Sequence, residues 1–355
     1  MDGMSKKKVA LIFGGKSSEH DVSCVSAVTV AEALDKDKYE ILLVGITKDG
    51  HWLLTDSTAA IKDGSWRNSS KKAVLSPDTD KKLIINENGV FIEINIDVAI
   101  PVLHGLYGED GSIQGLFEMA DMPYVGCGTL SSAVTMDKFF TKVIVDAIGV
   151  EQALYVPVRR FELEDMDKVV KRVEKFHAYP VFIKPSNAGS SMGISKAHNR
   201  EELIAGLKDA AKHDSKILVE EYIRGREIEC AVFGEGGNAF AAGVGEIIAA
   251  GEFYDFDAKY NNSDSKTIVD PVLPMGKKEE VMKAAVEVYR ACDCFGMARV
   301  DFFLEEDTGR VVFNEINAIP GHTSISMYPM IMKAAGYELG DYFDKMIEMA
   351  YHRND

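Results

Sequence analysis

Cysteine is scarce in this chain, with five among 355 residues, at Cys24, Cys127, Cys230, Cys292 and Cys294. Their number is odd and their spacing matches no metal-ligand pattern, so reduced thiols packed in the core are expected rather than a disulfide framework or a zinc site. Positive charge is also in short supply. Lys plus Arg number 40 against 56 Asp plus Glu, a formal charge of −16. A duplex-binding surface is not expected, because affinity for a phosphate backbone comes from clustered cations. An anionic substrate would need local Lys and Arg working against the mean field. No apolar run has the length of a membrane span. The run Val9–Phe13, behind Lys6-Lys7-Lys8, closes at Gly14-Gly15 and is too short for a signal peptide, so a cytoplasmic location is expected. Internal repeats and low-complexity segments are absent.

A chain of 355 residues exceeds one ordinary core, and two or three domains are expected. Its 46% hydrophobic and 27% charged residues describe a globular protein rather than a disordered one. Val9–Phe13 reads as a buried strand, Gly14-Gly15 as its turn, and Ser17 as the cap of a helix reaching about Leu34. A strand, glycine turn and helix N-terminus make an anion site. The GGKS inside it is not a P-loop, which needs glycine where Ala10 stands. Glu19 either complements the helix dipole or acts at the strand's carboxyl end. Strands Tyr39–Ile46 and Val98–Leu103 continue the α/β pattern. Thr47–Leu75 reads as loop-rich, and Lys81–Ile96 as a hairpin turning at Glu87-Asn88-Gly89. A change of composition near Gly126–Leu130 precedes a helix over Ser131–Ile148 that carries Lys138.

The stretch on which the chain centres is Arg299–Gly321. Two β-rich runs, Arg299–Leu304 and Arg310–Ile316, flank a turn at Asp307-Thr308-Gly309. A hairpin centred near Thr308 sets Asp301 opposite Glu315 and Arg299 opposite Asn317, all four on one face. Two carboxylates and a carboxamide oxygen suit a hard cation, Mg²⁺ or Mn²⁺, bridging to phosphate. Elsewhere, His104–Gly115 (HGLYGEDGSIQG) packs four glycines around His104, Glu109 and Asp110, although His104 alone reads as a residue closing its strand. Lys184 ends the strand Tyr179–Lys184, and the following Pro185–Gly193 (PSNAGSSMG) has the glycines and hydroxyls of a mobile lid over phosphates, framed on its far side by a strand at Met192–Ser195. Glu220 and Glu221 could accept hydrogen bonds from a ribose or an adenine amine, beside an apolar flank at Tyr222 and Ile223, and Glu227 and Glu229 share a strand face. The polar stretch Ile248–Pro274, with Tyr254, Lys259 and Tyr260, reads as an active-site loop.

Taken together, FGGKSSEHDVS, HGLYGEDGSIQG, MDK, IKPSNAGSSMG, EEYIRGREIE and RVDFF…NEINAIPG resemble the D-alanine–D-alanine ligases of the ATP-grasp class, with a likeness to the vancomycin-resistance-type D-Ala–D-Xaa ligases. The motifs keep the family's order over essentially the whole chain. The resemblance implies an α/β (α+β) protein of three domains: an N-terminal parallel-sheet domain over 1–128, a central ATP-grasp subdomain with the phosphate lid over 129–223, and a C-terminal ATP-grasp subdomain with the metal site and active-site loop over 224–355. It implies ATP, two Mg²⁺ or Mn²⁺ ions, D-alanine as substrate, and a homodimer without nucleic-acid or membrane partners.

Residue by residue, Asp301, Glu315 and Asn317 resemble the metal ligands, and Arg299 with the Gly321 N–H resembles the group that steadies acyl-phosphate and tetrahedral oxygens. Lys138, Lys184 and Ser191 look like phosphate ligands, with Glu220, Glu221, Ile223 and Glu227 around the adenosine. Glu19 looks like the residue holding the first D-alanine's ammonium and, with Ser190 and Tyr260, orienting the loop. His104 resembles a residue near the first substrate's carboxylate, and Lys259 one that reaches the transferred phosphate. Ala318 and His322 depart from the family's usual Thr or Ser and Phe or Met. The implied reaction joins two D-alanines through an acyl phosphate, for peptidoglycan precursors. A regulatory homologue without turnover would be expected to lack part of the set Arg299, Asp301, Glu315 and Asn317. A D-alanine–D-serine or D-alanine–D-lactate ligase would often carry arginine after Ser326, where this chain has Met327. An apolar residue there, with Tyr260, favours D-alanine as second substrate.

Overall fold

The computed structural model describes residues 5–187, 189, 192–248 and 266–353. Its strands form three sheets. The first comprises β1 (Lys7–Gly14), β2 (Tyr39–Ile46), β3 (Trp52–Thr55), β4 (Lys71–Leu75), β5 (Lys82–Glu87), β6 (Val90–Asn95) and β7 (Val98–Leu103), in the order β6-β5-β4-β3-β2-β1-β7. Only β2, β1 and β7 run parallel. The other four strands extend this expected parallel core antiparallel, so the sheet as a whole is mixed. The physical reason lies in the connections, since short turns can join only antiparallel neighbours, whereas parallel strands need a crossover. The expected hairpin and its turn at Asn88-Gly89 are present, but the stretch read as loop-rich holds β3, β4 and a short helix, α2 (Thr58–Asp63).

The first crossover is α1 (His20–Ala33), which starts later than Ser17. The Ser17 hydroxyl is turned to the loop instead, donating to the His104 carbonyl at 2.6 Å and accepting from the Glu19 N–H at 3.2 Å. After β7 come α3 (Ser112–Met119) and two helices, α4 (Thr129–Met136) and α5 (Lys138–Ile148), where one continuous helix was expected. Asp137 breaks it. Its backbone is extended and its carboxylate caps α5 by accepting from the N–H groups of Phe139 and Phe140, an N-cap geometry that a helix interior cannot offer.

The second sheet, β10-β9-β11-β8, joins β8 (Tyr155–Arg159), β9 (Val181–Pro185), β10 (Ser195–Ala197) and β11 (Lys216–Glu221). Valines 169, 170 and 173 of α6 (Met166–Phe176) and Leu203 and Leu207 of α7 (Arg200–His213) pack beneath it. The third sheet, β14-β13-β12-β15-β16, contains β12 (Gly225–Glu235), β13 (Phe240–Ile248), β14 (Lys266–Val269), β15 (Phe295–Glu305) and β16 (Val311–Asn317). Strand β14 lies inside the stretch read as one long loop. One face of this sheet packs on α8 (Lys277–Ala291) and on Val145 of α5. At its other face, Ala231, Phe233 and Ile247 share a core with α9 (Met327–Ala334), α10 (Leu339–Ala350), α1 and the strands β1 and β7. Burial of that common core clamps the first sheet to the third, and so brings the loops after β1 and β7 to the end of the β15–β16 hairpin.

Candidate active site

The register of β15 with β16 pairs Arg299 with Asn317 and Asp301 with Glu315, as expected. A bulge follows at once, with Phe302 opposite Phe313, leaving Asn314 as the extra residue. Strand β12 adds Glu229 directly opposite Asp301, and alternation sets Glu227 on the same face. The Arg299 guanidinium clasps Asp301 through Nε to Oδ1 at 2.8 Å and Nη2 to Oδ2 at 2.7 Å, and its Nε lies 3.2 Å from Glu229. Asn317 Nδ2 donates to Asp301 at 3.1 Å, and Lys138 Nζ stands 3.5 Å from Glu315. Carboxylates are crowded here. Burial, opposed by Arg299 and aided by Glu229 and Glu315, pushes Asp301 up to about 7. Burial, then Glu229, Asp301 and Glu315, pushes Glu227 up to about 8. Among the described residues no three His, Cys, Asp or Glu side chains form a ready metal-binding group. The carboxylates of Asp301 and Glu315 are instead met by protein cations.

Lys184, at the end of β9, sits 2.7 Å from Glu220 and donates to Asn314 Oδ1 at 3.1 Å. Glu220 also meets Lys142, at 3.1 Å. Burial raises the Glu220 carboxyl, but Lys142 and Lys184 outweigh it and hold it at about 2. Glu221 accepts from the Leu154 N–H at 3.0 Å, a bond that braces β11 against the preceding segment. Ile223 packs with Ala153, Val312 and Phe303 where the second and third sheets meet.

The loop after β7 is knitted to the residues after β16. His104 Nδ1 lies 3.1 Å from the Ile319 carbonyl, and its Nε2 lies 3.3 Å from the Ser26 hydroxyl, which in turn accepts from the His322 N–H at 3.2 Å. Glu109 accepts from the N–H groups of Gly105 at 2.7 Å and Ile319 at 3.1 Å. Glu19 lies between two glycines. A Cβ added to Gly105 would fall 2.6 Å from its Oε2, and one added to Gly189 of the lid stretch 2.7 Å; Gly105 is also held to glycine by its φ of +70°. The turn at Gly321 is closed by Ser326, whose hydroxyl accepts from the Thr323 N–H at 3.0 Å and would be 2.9 Å from any Cβ at Gly321.

Ser190, Ser191, Lys259 and Tyr260 lie outside the described residues. Met327 is 3% exposed at the start of α9. Its sulfur would overlap a Cβ on Gly245, which pairs with Glu229, so the thioether lies over the sheet on the carboxylate face, within the core rather than as an open wall. Sequence reading missed Lys142, Glu229 and Ser26 as members of this constellation. Lys142 had a signal, since it stands one helical turn after Lys138; Ser26 had none.

Two family models match the chain, D-ala D-ala ligase N-terminus over residues 8–127 and D-ala D-ala ligase C-terminus over residues 144–348. The chain is 46% identical over 353 residues to the D-alanine–D-alanine ligase of Caldicellulosiruptor bescii, covering 99% of this chain and 97% of that one. It is 47% identical over 352 residues to the D-alanine–D-alanine ligase of Clostridium acetobutylicum, covering 99% of each. Among solved structures, the VanG D-Ala:D-Ser ligase of Enterococcus faecalis is similar with a TM-score of 0.88 and 38% identity, over 98% of this chain and 100% of that one. The D-alanine–D-alanine ligase of Coxiella burnetii is similar with a TM-score of 0.84 and 31% identity, over 99% and 95%. With both family models matched and relatives this similar along its length, the chain belongs to the D-alanine–D-alanine ligase family.

Proposed function

We propose that the protein joins two D-alanine molecules into D-alanyl-D-alanine, converting ATP to ADP and phosphate through an acyl phosphate, as a step in making peptidoglycan precursors. The observation that carries the reading is the register that pairs Arg299 with Asn317 and Asp301 with Glu315, at the end of the hairpin where Glu109 and His104 hold Ile319. A carboxylate is a poor acyl donor. In the first step a carboxylate oxygen of the first D-alanine attacks the γ-phosphorus and ADP departs. In the second, the amine nitrogen of the other D-alanine attacks the acyl carbon and inorganic phosphate leaves.

Glu19 would hold the first ammonium and, with Ser190 and Tyr260, orient the closing loop. His104 would stand near the first carboxylate, Lys259 would reach the transferred phosphoryl group, and Ser326 would flank the second substrate, with the buried Met327 packed behind it. Lys138, Lys184 and Ser191 would meet the phosphates, and Glu220, Glu221, Ile223 and Glu227 the adenosine. Arg299 and the Gly321 N–H would stabilise the tetrahedral oxygen, whose charge develops only in the transition state. Asp301, Glu315 and Asn317 would hold two Mg²⁺ or Mn²⁺ ions. Their hard oxygen donors suit such ions. Burial, then the neighbouring carboxylates, lifts Asp301 and Glu227, and a cation among them would relieve that crowding. When bound, the ions neutralise charge on the phosphoryl oxygens.

The test is phosphate release with ATP and Mg²⁺ over D-alanine, D-serine, D-lactate and the L-amino acids, with products identified by mass. D-alanine alone should give D-alanyl-D-alanine, and failure to release phosphate with D-alanine would overturn the reading. D-serine as acceptor is the second reading, favoured by the likeness to the D-Ala:D-Ser ligase structure, and the same panel separates the two. We also propose a cytoplasmic homodimer with domains over 1–128, 129–223 and 224–355. Each of the three sheets falls within one of those ranges, and no described helix is long and apolar enough to cross a membrane.

A further inference from the structure

We propose that Lys142 is a positioning residue for ATP: it remains as the counter-ion of Glu220 when Lys184 leaves that carboxylate for the nucleotide's phosphates. The inference rests on the ATP-dependent reading above and adds a residue outside the phosphate contacts. Lys142 projects from α5 with its side chain 2% exposed, and Glu220 faces it from β11 with 5% of its side chain exposed. The ammonium lies 3.1 Å from Glu220 Oε1 and donates to the Ala153 carbonyl at 3.4 Å, while Lys184 takes Oε2 at 2.7 Å. Two ammonium groups thus share one buried carboxylate, each on its own oxygen.

The arrangement has a consequence for charge. A buried carboxylate stripped of its partner is strongly unfavourable, far more so than an intact pair is favourable. Were Lys184 the sole partner, moving it to a phosphate would strand Glu220, and ATP would have to compete against that penalty. With Lys142 on the other oxygen, Lys184 can move while Glu220 stays neutralised. Lys142 is too enclosed to follow. It sits under the Tyr155 ring at 5.3 Å, and Tyr155 is itself tied to Asp146 by a 2.8 Å hydrogen bond.

The experiment measures steady-state kinetics and melting temperature for wild type, Lys142→Met, Lys142→Arg, Glu220→Gln and the double variant Lys142→Met/Glu220→Gln. Lys142→Met should raise KM for ATP by about tenfold or more, while kcat and KM for D-alanine change less than about threefold, the signature of lost binding rather than lost chemistry. Lys142→Arg, which keeps the cation, should stay near wild type. Glu220→Gln by itself should weaken ATP through the adenosine contact assigned to it, so the double variant is read against that single variant: adding Lys142→Met there should change KM for ATP less than about threefold, because no carboxylate is left to detain Lys184. A merely structural lysine would lower the melting temperature without a selective rise in KM for ATP. The inference is overturned if Lys142→Met leaves KM for ATP unchanged, or if it raises KM for ATP on the Glu220→Gln background as much as on wild type. Should Lys142→Met fail to fold, the double variant and Lys142→Arg decide: a tenfold rise in KM for ATP in the double variant over Glu220→Gln, or in Lys142→Arg over wild type, overturns it. A wild-type protein whose turnover did not need ATP would refute the functional reading instead.

Discussion

The Ile319 N–H donates to Glu109 Oε1 at 3.1 Å, joining two residues 210 positions apart in the chain. The other oxygen of Glu109 accepts from Gly105 at 2.7 Å, so one carboxyl group holds the loop after β7 against the residues after β16. Burial and the facing Glu19 push that carboxyl from an ordinary 4.5 up to about 8. The folded chain therefore keeps a proton that the unfolded chain releases. Its contribution to stability is whole below about pH 4.5 and is lost as pH rises toward 8. Between those limits the wild type should lose stability with pH more steeply than Glu109→Gln, by up to about 1.4 kcal/mol per pH unit. Urea denaturation at pH 5.5, 6.5 and 7.5 checks this, and parallel slopes for the two proteins would count against it.

Glu315→Gln should abolish phosphate release while weakening ATP binding only modestly, because a neutral amide cannot neutralise two cations as one carboxylate can. The shared face of Asp301, Glu315 and Asn317 motivates the expectation. A loss of turnover smaller than about tenfold, or roughly 1.4 kcal/mol of barrier, would remove Glu315 from the metal assignment.

Met327→Arg tests where that side chain lies. The thioether fills space over Gly245 in the core shared by the first and third sheets. A guanidinium there should cost about 2–4 kcal/mol, whereas Met327→Leu, close in volume, should cost less than about 1.5 kcal/mol. Denaturation midpoints read both. An arginine variant as stable as wild type would mean that the side chain reaches the cleft, and D-alanine and D-serine competing as acceptors would then show a changed product ratio.

Asp137 carries four interactions at the start of α5: the N–H groups of Phe139 and Phe140, the Ser186 hydroxyl at 2.6 Å, and an ion pair with Lys216. Asp137→Ala should destabilise the protein by about 2 kcal/mol or more, above an ordinary cap because the buried partners are also stranded. Asp137→Asn, which keeps a capping oxygen, should recover part of the loss. Thermal melts of the two variants make the comparison, and equal losses would mean that capping contributes nothing.

The alternation of a two-residue period and one turn at Thr308 sufficed to place Asp301 opposite Glu315 and Arg299 opposite Asn317, because pairing register within a hairpin is a local property. For the same reason β2 and β7 have the bounds read from their apolar runs, and Lys184 closes the core of a strand. Local pattern could not show that Asp137 interrupts a helix, since the competing partners, Ser186 and Lys216, come from the turn after β9 and the start of β11. Nor could it show that β3 and β4 link the β5–β6 hairpin antiparallel to the edge of the parallel strands, a matter of which neighbours the connections can reach. The burial of Met327 over Gly245, the sharing of Glu220 by Lys142 and Lys184, and the bond from Ile319 to Glu109 all join residues far apart in the chain. Such contacts follow from how helices and sheets pack around common cores. Residue type and spacing determined the chemistry this chain carries; only tertiary packing decided which charges face one another, because distance and burial set the strength of a charge interaction and neither is written along the chain.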